Sequence, residues 1–216
     1  TAAKRQIQAA IRLFFLREDE LAVHTVASAA YGLLKDLKKK RGLDEAEDTY
    51  RTMYFYLVRD FRRGTLPTDL TSDPERVAAI RRIADQLSFI TADSRLADFQ
   101  VSMSLDQVRH YWNKHNQAAN FLKHADRDTH RALPLKKINN FLLLLKCCSA
   151  YQDIAPDDLG NEGLIFEAFM AAKNPTHSAA SSSFDSLVEL IGSVPNDHRL
   201  DVCYETIVKM NTTSSA

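Results

Sequence analysis

The sequence has few of the residues that interrupt helices or cross-link chains. Glycine and proline occur six times each and cysteine three times in 216 residues. The scarcity of glycine and proline argues against a fold rich in turns and sheets and favours long helices. Cys147 and Cys148 are neighbours in the sequence, which is not the pattern of a secreted disulfide framework.

Neither sign of charge is in excess, because 28 basic residues balance 28 acidic ones. The chain lacks the global basic surplus that draws proteins to nucleic acid, so RNA binding would need a local basic face. A neutral protein also has little electrostatic protection against self-association. The charge balance therefore favours a homo-oligomer or a protein partner over a nucleic-acid partner.

Long apolar runs and secretion signals are also missing. The longest apolar run, Phe141 to Leu145, is far shorter than the roughly 20 residues that cross a bilayer. No signal-peptide pattern opens the sequence. Together with the cysteine usage, this predicts a cytoplasmic protein that does not enter a membrane. No glycine-rich phosphate loop, GxSxG, HExxH or CxxC motif occurs, and we predict no cofactor.

Apolar residues recur at helical spacing along most of the chain, and no β-alternation of useful length or solenoid repeat is present. We therefore predict an all-α, single-domain bundle of about 8–10 helices with no significant sheet. Residues 1–155 are expected to form the main bundle, and residues 156–216 a C-terminal helical appendage packed on it. The last residues, 212–216, are expected to be disordered.

Two of the predicted helices have features that bear on association. The expected core face of the helix over 19–40 consists of Val23, Ala27, Ala30, Leu34 and Leu37. The helix ends in the basic run 38–41. We interpret that run as a solvated helix end, with an RNA-facing patch as the alternative. The helix over 135–151 is apolar nearly all round, which is typical of a central helix or a subunit interface. Its two cysteines are interpreted as small core groups.

The unusual chemistry is concentrated between Ser104 and His130, which hold four of the seven histidines and the one tryptophan. Ser104 and Gln107 form a capping-box pattern that predicts the start of a helix. Winding this helix at about 100° per residue puts six residues on one expected core stripe. They are Leu105, Val108, Trp112, His115, Ala119 and Leu122.

A second stripe beside the first is polar, and we call it the polar ridge. Its members are Arg109, Asn113, Asn116, Asn120 and His124, with Lys123 and Asp126 as neighbouring candidates for binding. Asparagine is a poor helix former, so three asparagines between an arginine and a histidine indicate hydrogen-bonding partners rather than bulk water. The alternative is a polar seam between helices or subunits.

His115 falls on the apolar stripe, where it is either a half-buried packing histidine or a proton-transfer group tuned by burial. A metal site would have to gather histidines of this stretch with Asp126 and Asp128. Those histidines point to different faces of one helix. We therefore assign no metal ligands from the sequence.

The segment Arg109-His110-Tyr111-Trp112-Asn113-Lys114-His115 has an arginine and a histidine separated by five residues. It resembles the motif of the HEPN superfamily of all-helical proteins, in which four to six residues lie between an arginine and a histidine on a late helix. A second near-match is Ala119-Asn120-Phe121-Leu122-Lys123-His124, where Ala119 replaces the arginine of the family's Arg-Asn-x-x-x-His variant.

The resemblance implies a dimer in which two copies of the motif line one cleft. Catalytically active members of the family cleave RNA without a metal, and many other members serve as interaction domains. Carried over to this chain, Arg109 would hold the scissile phosphate, and His115 or His124, beside Asn120, would act in proton transfer.

Three hypotheses follow from the sequence. The first is a helical interaction module that forms a homodimer. The second is a HEPN-like, metal-independent ribonuclease of toxin or defence type that uses Arg109, His115, Asn120 and His124. The third is a metal- or ligand-binding helical bundle.

Overall fold

The computed structural model describes residues 1–42, 45–100, 102, 104–123, 138–155, 157–173 and 182–213, of which 45–49, 69, 114, 115, 123 and 182 are described by their backbone alone. All regular structure in these ranges is helical, and they contain no strand. The prediction of an all-α fold is confirmed.

The helices in chain order are α1 (Ala2–Phe15), α2 (Glu20–Lys40), α3 (Glu45–Arg63), α4 (Thr68–Thr71), α5 (Pro74–Gln86), α6 (Leu105–His115), α7 (Gln117–Lys123), α8 (Asn140–Ile154), α9 (Gly160–Lys173), α10 (Ser182–Gly192) and α11 (Arg199–Thr213), with a 3₁₀ turn at Leu96–Asp98. In the described ranges, ten of these eleven are longer than the single turn of α4. α11 continues through residues 212 and 213, which were expected to lie in a disordered tail.

Helix boundaries follow local capping chemistry. The Asp19 side chain accepts hydrogen bonds from the N–H groups of Leu21 and Ala22 at 2.9 and 3.1 Å, so α2 begins at Glu20. α2 ends before Gly42, whose φ of +76° is a conformation that glycine adopts without steric penalty. A capping aspartate and a glycine with positive φ therefore mark the two ends of α2.

The chain packs as two compact units. The first comprises Thr1–Arg41 and Asn116–Ala216, and the second comprises Gly42–His115. α1, α2 and α7 to α11 belong to the first unit, and α3 to α6 belong to the second. The division of the chain expected at residue 155 stays a prediction.

In the first unit, α1 and α2 pack against each other, and α8 packs on both. α8 runs parallel to α2, as two contacts between the helices show. His24 meets Asn140 at the start of α8, and Lys38 meets Asp153 at its end. The chain must therefore return across the length of α2 before α8 begins.

α9 runs parallel to α1 in the same way, since Arg12 meets Glu162 and Phe15 packs on Phe169. α10 and α11 pack against α9. Five phenylalanines from α1, α8 and α9 form one aromatic cluster with centroid separations between 5.5 and 6.4 Å. They are Phe14, Phe15, Phe141, Phe166 and Phe169. Edge-on and tilted aromatic pairs contribute about 0.5–1.5 kcal/mol each beyond the apolar area that they bury.

In the second unit, α3 packs with α5, α6 and the 3₁₀ turn. Its core is a smaller cluster of buried residues: Phe55, Val58, Ala84, Ile90 and Phe99. Tyr54 of α3 packs against this cluster. Its ring stacks on that of Tyr50 with centroids 5.7 Å apart, and both tyrosines are half-buried packing groups.

In the last turn of α2, the buried residue is not the one that the apolar spacing predicts. The spacing of apolar residues assigns Leu37 to the core, but this side chain is 45% exposed, whereas Lys38 is 1% exposed. The buried stripe continues from Leu34 by four residues rather than three. The first cation of the basic run is therefore part of the interior and not of a solvated helix end.

Candidate functional site

The capping box at the start of α6 is present. The backbone N–H of Gln107 donates to Ser104 Oγ at 3.3 Å, and the Ser104 N–H donates to Gln107 Oε1 at 2.8 Å. The pair satisfies N–H groups that have no carbonyl partner at a helix start. α6 therefore begins at Leu105, as the sequence predicts.

Arg109 and Asn113, the first two members of the polar ridge, are both exposed on α6. The Arg109 side chain is 73% exposed, and its Nη1 donates to Asp106 Oδ1 at 3.2 Å. An exposed ion pair of this spacing contributes only about 0.3–0.5 kcal/mol because water screens it. Arg109 is therefore accessible to an anionic ligand, which could replace this weak contact.

The expected core stripe of α6 is buried only in part. Leu105, the first residue of that stripe, is 84% exposed, and Val108 and Trp112 are half-buried. Among the described side chains of α6, Tyr111 is the buried one. The Tyr111 ring packs edge-on against Tyr50 of α3 at 5.4 Å and against the neighbouring Trp112 at 4.9 Å. The periodicity of one helix defines an apolar side, but the position of α3 decides which of two adjacent aromatic positions is buried.

The helix predicted to run through the whole polar ridge is interrupted at Asn116. α6 ends at His115 and α7 begins at Gln117. Asn116 accepts a hydrogen bond at its carbonyl from the Asn120 N–H at 2.7 Å and so starts α7. The boundary between the two units also falls after His115. Arg109, Asn113 and His115 thus belong to the second unit, and Asn116 and Asn120 to the first.

The remaining ridge residues are placed only in part. Asn116 is half-buried and Asn120 is exposed. His115 and Lys123 are described by their backbone as the last residues of α6 and α7. His124 and Asp126 lie outside the described residues. The roles assigned to these four side chains from the sequence stay predictions.

A buried polar pair that the sequence analysis missed joins α2 to α8. His24 Nδ1 lies 3.2 Å from Asn140 Oδ1, and Asn140 Nδ2 donates to the Glu20 carbonyl at 2.9 Å. His24 Nε2 is buried without a hydrogen-bond partner in the described structure. Desolvation lowers the pKa of His24, and the hydrogen bond that its ring N–H donates to Asn140 opposes that change in part. The neutral imidazole is the form that fits this site.

A signal for this pair was present in the sequence. His24 lies on α2 three residues before Ala27 and seven before Tyr31, and all three are buried. Asn140 is likewise aligned with buried residues of α8, because Leu144 and Cys147 lie four and seven residues further along that helix. A polar residue in line with two buried stripes predicts a satisfied polar contact between them. The identity of the partner depends on which helices meet.

Three polar side chains at four-residue intervals on α1, those of Lys4, Gln8 and Arg12, contact the start of α9 and the residues just before it. Lys4 Nζ donates to Asp157 at 3.0 Å, and Gln8 Nε2 donates to the Leu159 carbonyl at 2.8 Å. Tyr151 also donates to Asp157 at 2.9 Å. The hydrogen bond from Lys4 lowers the pKa of the Asp157 carboxyl. This row holds the turn between α8 and α9 against α1.

Glu162 is the most buried member of this contact region. Its side chain is buried in the first turn of α9, where Arg12 Nη1 donates to it. Asn211 Nδ2 of α11 donates to the same carboxylate oxygen at 3.2 Å. The positive end of the α9 dipole also favours a carboxylate at this position. The Glu162 carboxylate thus connects α9 to α1 and α11, and we interpret it as a group that stabilises the fold.

A cleft of about 480 Å³ lies beside this row on the outer side of α1. It is lined by Ala2, Arg5, Gln6, Gln8, Ala9, Arg12 and Val26. Gln6 Oε1 is buried without a hydrogen-bond partner in the described structure. Four of the seven lining residues are thus arginine or glutamine, and the apolar part of the cleft is formed by two alanines of α1 and one valine of α2.

The three cysteines are free and buried. Burial raises the pKa of Cys148 and of Cys203 to about 12, so both are thiols rather than thiolates at neutral pH. Cys147 Sγ donates to the Ala27 carbonyl at 3.4 Å across the contact between α2 and α8. Cys147 and Cys148 are core groups, as predicted.

No group of three histidine, cysteine, aspartate or glutamate side chains within the described ranges is arranged to hold a metal ion. Among the helices that the structure describes, none is both long and apolar enough to cross a membrane. Comparison with known proteins found no matching family model, no matching curated protein and no matching solved structure. The resemblance to the HEPN superfamily therefore rests on the residues of the sequence alone.

Proposed function

We propose that the chain is a helical interaction module that associates as a homodimer. The observation that carries this proposal is the solvent side of α2, where Leu33 and Leu37 lie one turn apart and are 43% and 45% exposed. The outer face of a helix in a water-soluble unit is ordinarily polar, and adjacent exposed leucines are typical of a contact surface. The zero net charge supports the proposal because copies of the chain do not repel one another.

The mass of the chain in solution tests this proposal. Light scattering after size-exclusion chromatography, or sedimentation velocity, should give twice the 24.4 kDa of one chain at high protein concentration. The dimer should dissociate on dilution with a single dissociation constant. A mass of one chain at every concentration would contradict self-association.

A HEPN-like ribonuclease is the second candidate function, and the accessibility of Arg109 favours it. The guanidinium is exposed, and the contact that it makes to Asp106 is weak enough for a phosphate to replace. Asn113 is exposed one turn further along the same helix and could bond to the same ligand. In this proposal His115 or His124 would transfer the proton.

RNA cleavage in the presence of a chelator tests the second candidate. Arg109→Ala should abolish cleavage, and His115→Ala or His124→Ala should do so as well. Arg95→Ala is the matched control, because Arg95 is also an exposed arginine paired with an aspartate three residues away. If Arg95→Ala reduces cleavage as much as Arg109→Ala, the activity does not belong to the motif.

We also propose a reducing, cytoplasmic setting. The support is that the three cysteines are free thiols in the structure and that two of them are neighbours on α8. Fractionation of the source cells, followed by detection of the chain, tests this location. Recovery of the chain from a secreted or membrane fraction would contradict it.

A further inference from the structure

The solvent side of α2 carries an uninterrupted line of apolar residues, which we call the α2 seam. The seam residues recur at intervals of four, three, four and four and are Ala22, Val26, Ala29, Leu33 and Leu37. All are exposed except Val26, which is half-buried. Intervals of three and four are those at which one helix packs along another. A helix of this length extends about 31 Å, so the seam is long enough to accept a second helix.

We propose that the occupant of the α2 seam is α2 of a second copy of the chain, antiparallel and related by a two-fold axis near Ala29. This inference rests on the proposed homodimer and assigns its interface. In a two-fold dimer the same patch is used on both copies, so the seam must be complementary to itself when it is reversed. Charge, side-chain size and the neighbouring cleft each meet that condition.

The two ends of α2 carry opposite charges. Residues 18–20 at the start are Glu18, Asp19 and Glu20, residues 39–41 at the end are Lys39, Lys40 and Arg41, and all six are exposed. In an antiparallel pair each acidic end lies beside the basic end of the partner, and symmetry gives this contact twice. In a parallel pair like charges would meet at both ends, which is unfavourable. The charge pattern therefore favours a second copy and the antiparallel orientation.

The same reversal matches small residues with large ones. When α2 is turned about its centre, Ala22 faces Leu37 of the partner and Val26 faces Leu33 of the partner, while Ala29 lies at the axis. Small residues at the axis let the two helix backbones approach closely, and each leucine faces a smaller side chain. The pairing thus avoids a collision of leucines at the centre of the interface.

In the proposed dimer, the cleft beside α1 would contact the second copy. Val26 forms part of this cleft together with Ala2, Arg5 and Ala9 of α1. Because Leu33 of the partner lies opposite Val26 in the proposed register, its side chain is directed at the cleft. The aliphatic stem of Arg5 can cover that leucine while its guanidinium stays in water.

Substitution of one seam residue tests the surface. Leu33→Asp should weaken the dimer at least about tenfold, because symmetry places two carboxylates in an apolar contact. Leu142→Asp is the matched control, since Leu142 is 44% exposed on α8 and lies outside the seam. Both variants should keep the helical circular-dichroism spectrum. A dimer of Leu33→Asp as tight as the wild type would overturn the proposal.

A charge exchange tests the orientation without altering the apolar contact. Glu20→Lys alone and Lys39→Glu alone should each weaken the dimer at low salt, since each places like charges together at both ends. The double variant should regain most of the lost affinity. If the double variant is as weak as the worse single one, the antiparallel arrangement is wrong.

Single cysteines test the register and separate this inference from the homodimer itself. Under oxidation Ala29→Cys should cross-link two chains, whereas Ala22→Cys should not, because its two copies would lie about 20 Å apart along the helices. Cross-linking of Ala22→Cys would indicate a parallel pair. A wild-type dimer with no Ala29→Cys cross-link and an unaffected Leu33→Asp variant would refute the α2 interface but leave the homodimer. A wild-type monomer would refute both.

Discussion

Lys38 Nζ lies 2.7 Å from Asp153 Oδ2, and the two ends of this ion pair have very different surroundings. The Lys38 side chain is 2% exposed, whereas that of Asp153 is 46% exposed. A charge without access to water depends on its partner far more than a charge that water can solvate. The two ends of the pair should therefore respond differently to substitution.

Asp153→Ala should lower the free energy of unfolding by about 1–3 kcal/mol, because it leaves the buried ammonium of Lys38 without its carboxylate. Lys38→Met should have a smaller effect, since it keeps the apolar stem and leaves a carboxylate that water can reach. Urea unfolding followed by circular dichroism measures both. The control is Asp98→Ala, which breaks the exposed pair with Arg95 and should change stability by less than about 0.5 kcal/mol. Equal losses for Asp153→Ala and Lys38→Met would contradict the asymmetry.

The buried His24 should make the protein less stable in mild acid. Desolvation lowers its pKa below the ordinary value of 6.5, so the unfolded chain takes up a proton at a pH where the folded chain does not. The stability due to the neutral imidazole is present above about pH 6.5 and is lost as the pH falls towards the folded pKa.

His24→Gln removes the titrating group and keeps a side chain able to bond to Asn140. Thermal melts between about pH 5 and pH 8 should show a shallower loss of Tm towards acid for this variant than for the wild type. Towards pH 8, the difference in Tm between the two proteins should no longer change with pH. An identical pH dependence in both would show that another group is responsible.

Features that depend on neighbours in the sequence were predicted well. The capping box predicted at Ser104 is present, and its two contacts with Gln107 span three residues. The all-α class follows from apolar spacing within each helix. Such information is contained in windows of a few residues, so one sequence is enough to extract it.

Features that depend on distant neighbours were not predicted. His24 and Asn140 are 116 residues apart, and Lys38 and Asp153 are 115 apart. Both contacts exist because α8 lies parallel to α2, and the spacing of residues within α2 carries no information about that neighbour. The burial of Lys38 instead of Leu37 has the same cause. The interruption at Asn116 was missed for a different reason, since asparagine disfavours a helix at each of three ridge positions alike.

Substitution of Arg12 should lower the free energy of unfolding more than substitution of Arg17. Arg12 lies in the last turn of α1 and Arg17 just after it, and both pair with carboxylates. Arg12 donates to Glu162, whose side chain is 5% exposed, whereas Arg17 contacts Asp201, which is half-exposed. Arg12→Met leaves a buried carboxylate with Asn211 as its remaining described donor, and we expect a loss of about 2–4 kcal/mol. Arg17→Met should lose less than about 1 kcal/mol.

Glu162→Gln combined with Arg12→Met completes the comparison. Removal of the charge from the buried position should recover part of the stability lost in Arg12→Met, because an amide is less costly to bury than a carboxylate. The coupling between the two substitutions is measured by a double-mutant cycle from urea unfolding. If the losses simply add, the ion pair is not the source of the effect.

The thiols should be unreactive in the folded protein. A pKa of about 12 for Cys148 and Cys203 leaves only about one thiolate in 10⁴ at pH 8. Burial adds a steric barrier, so a thiol reagent should modify these residues at least about a thousandfold more slowly than a free cysteine at that pH. Reaction rates across a urea titration should rise together with global unfolding. Fast modification of Cys203 without loss of helical signal would show instead that α11 separates from α9 while the rest of its unit stays folded.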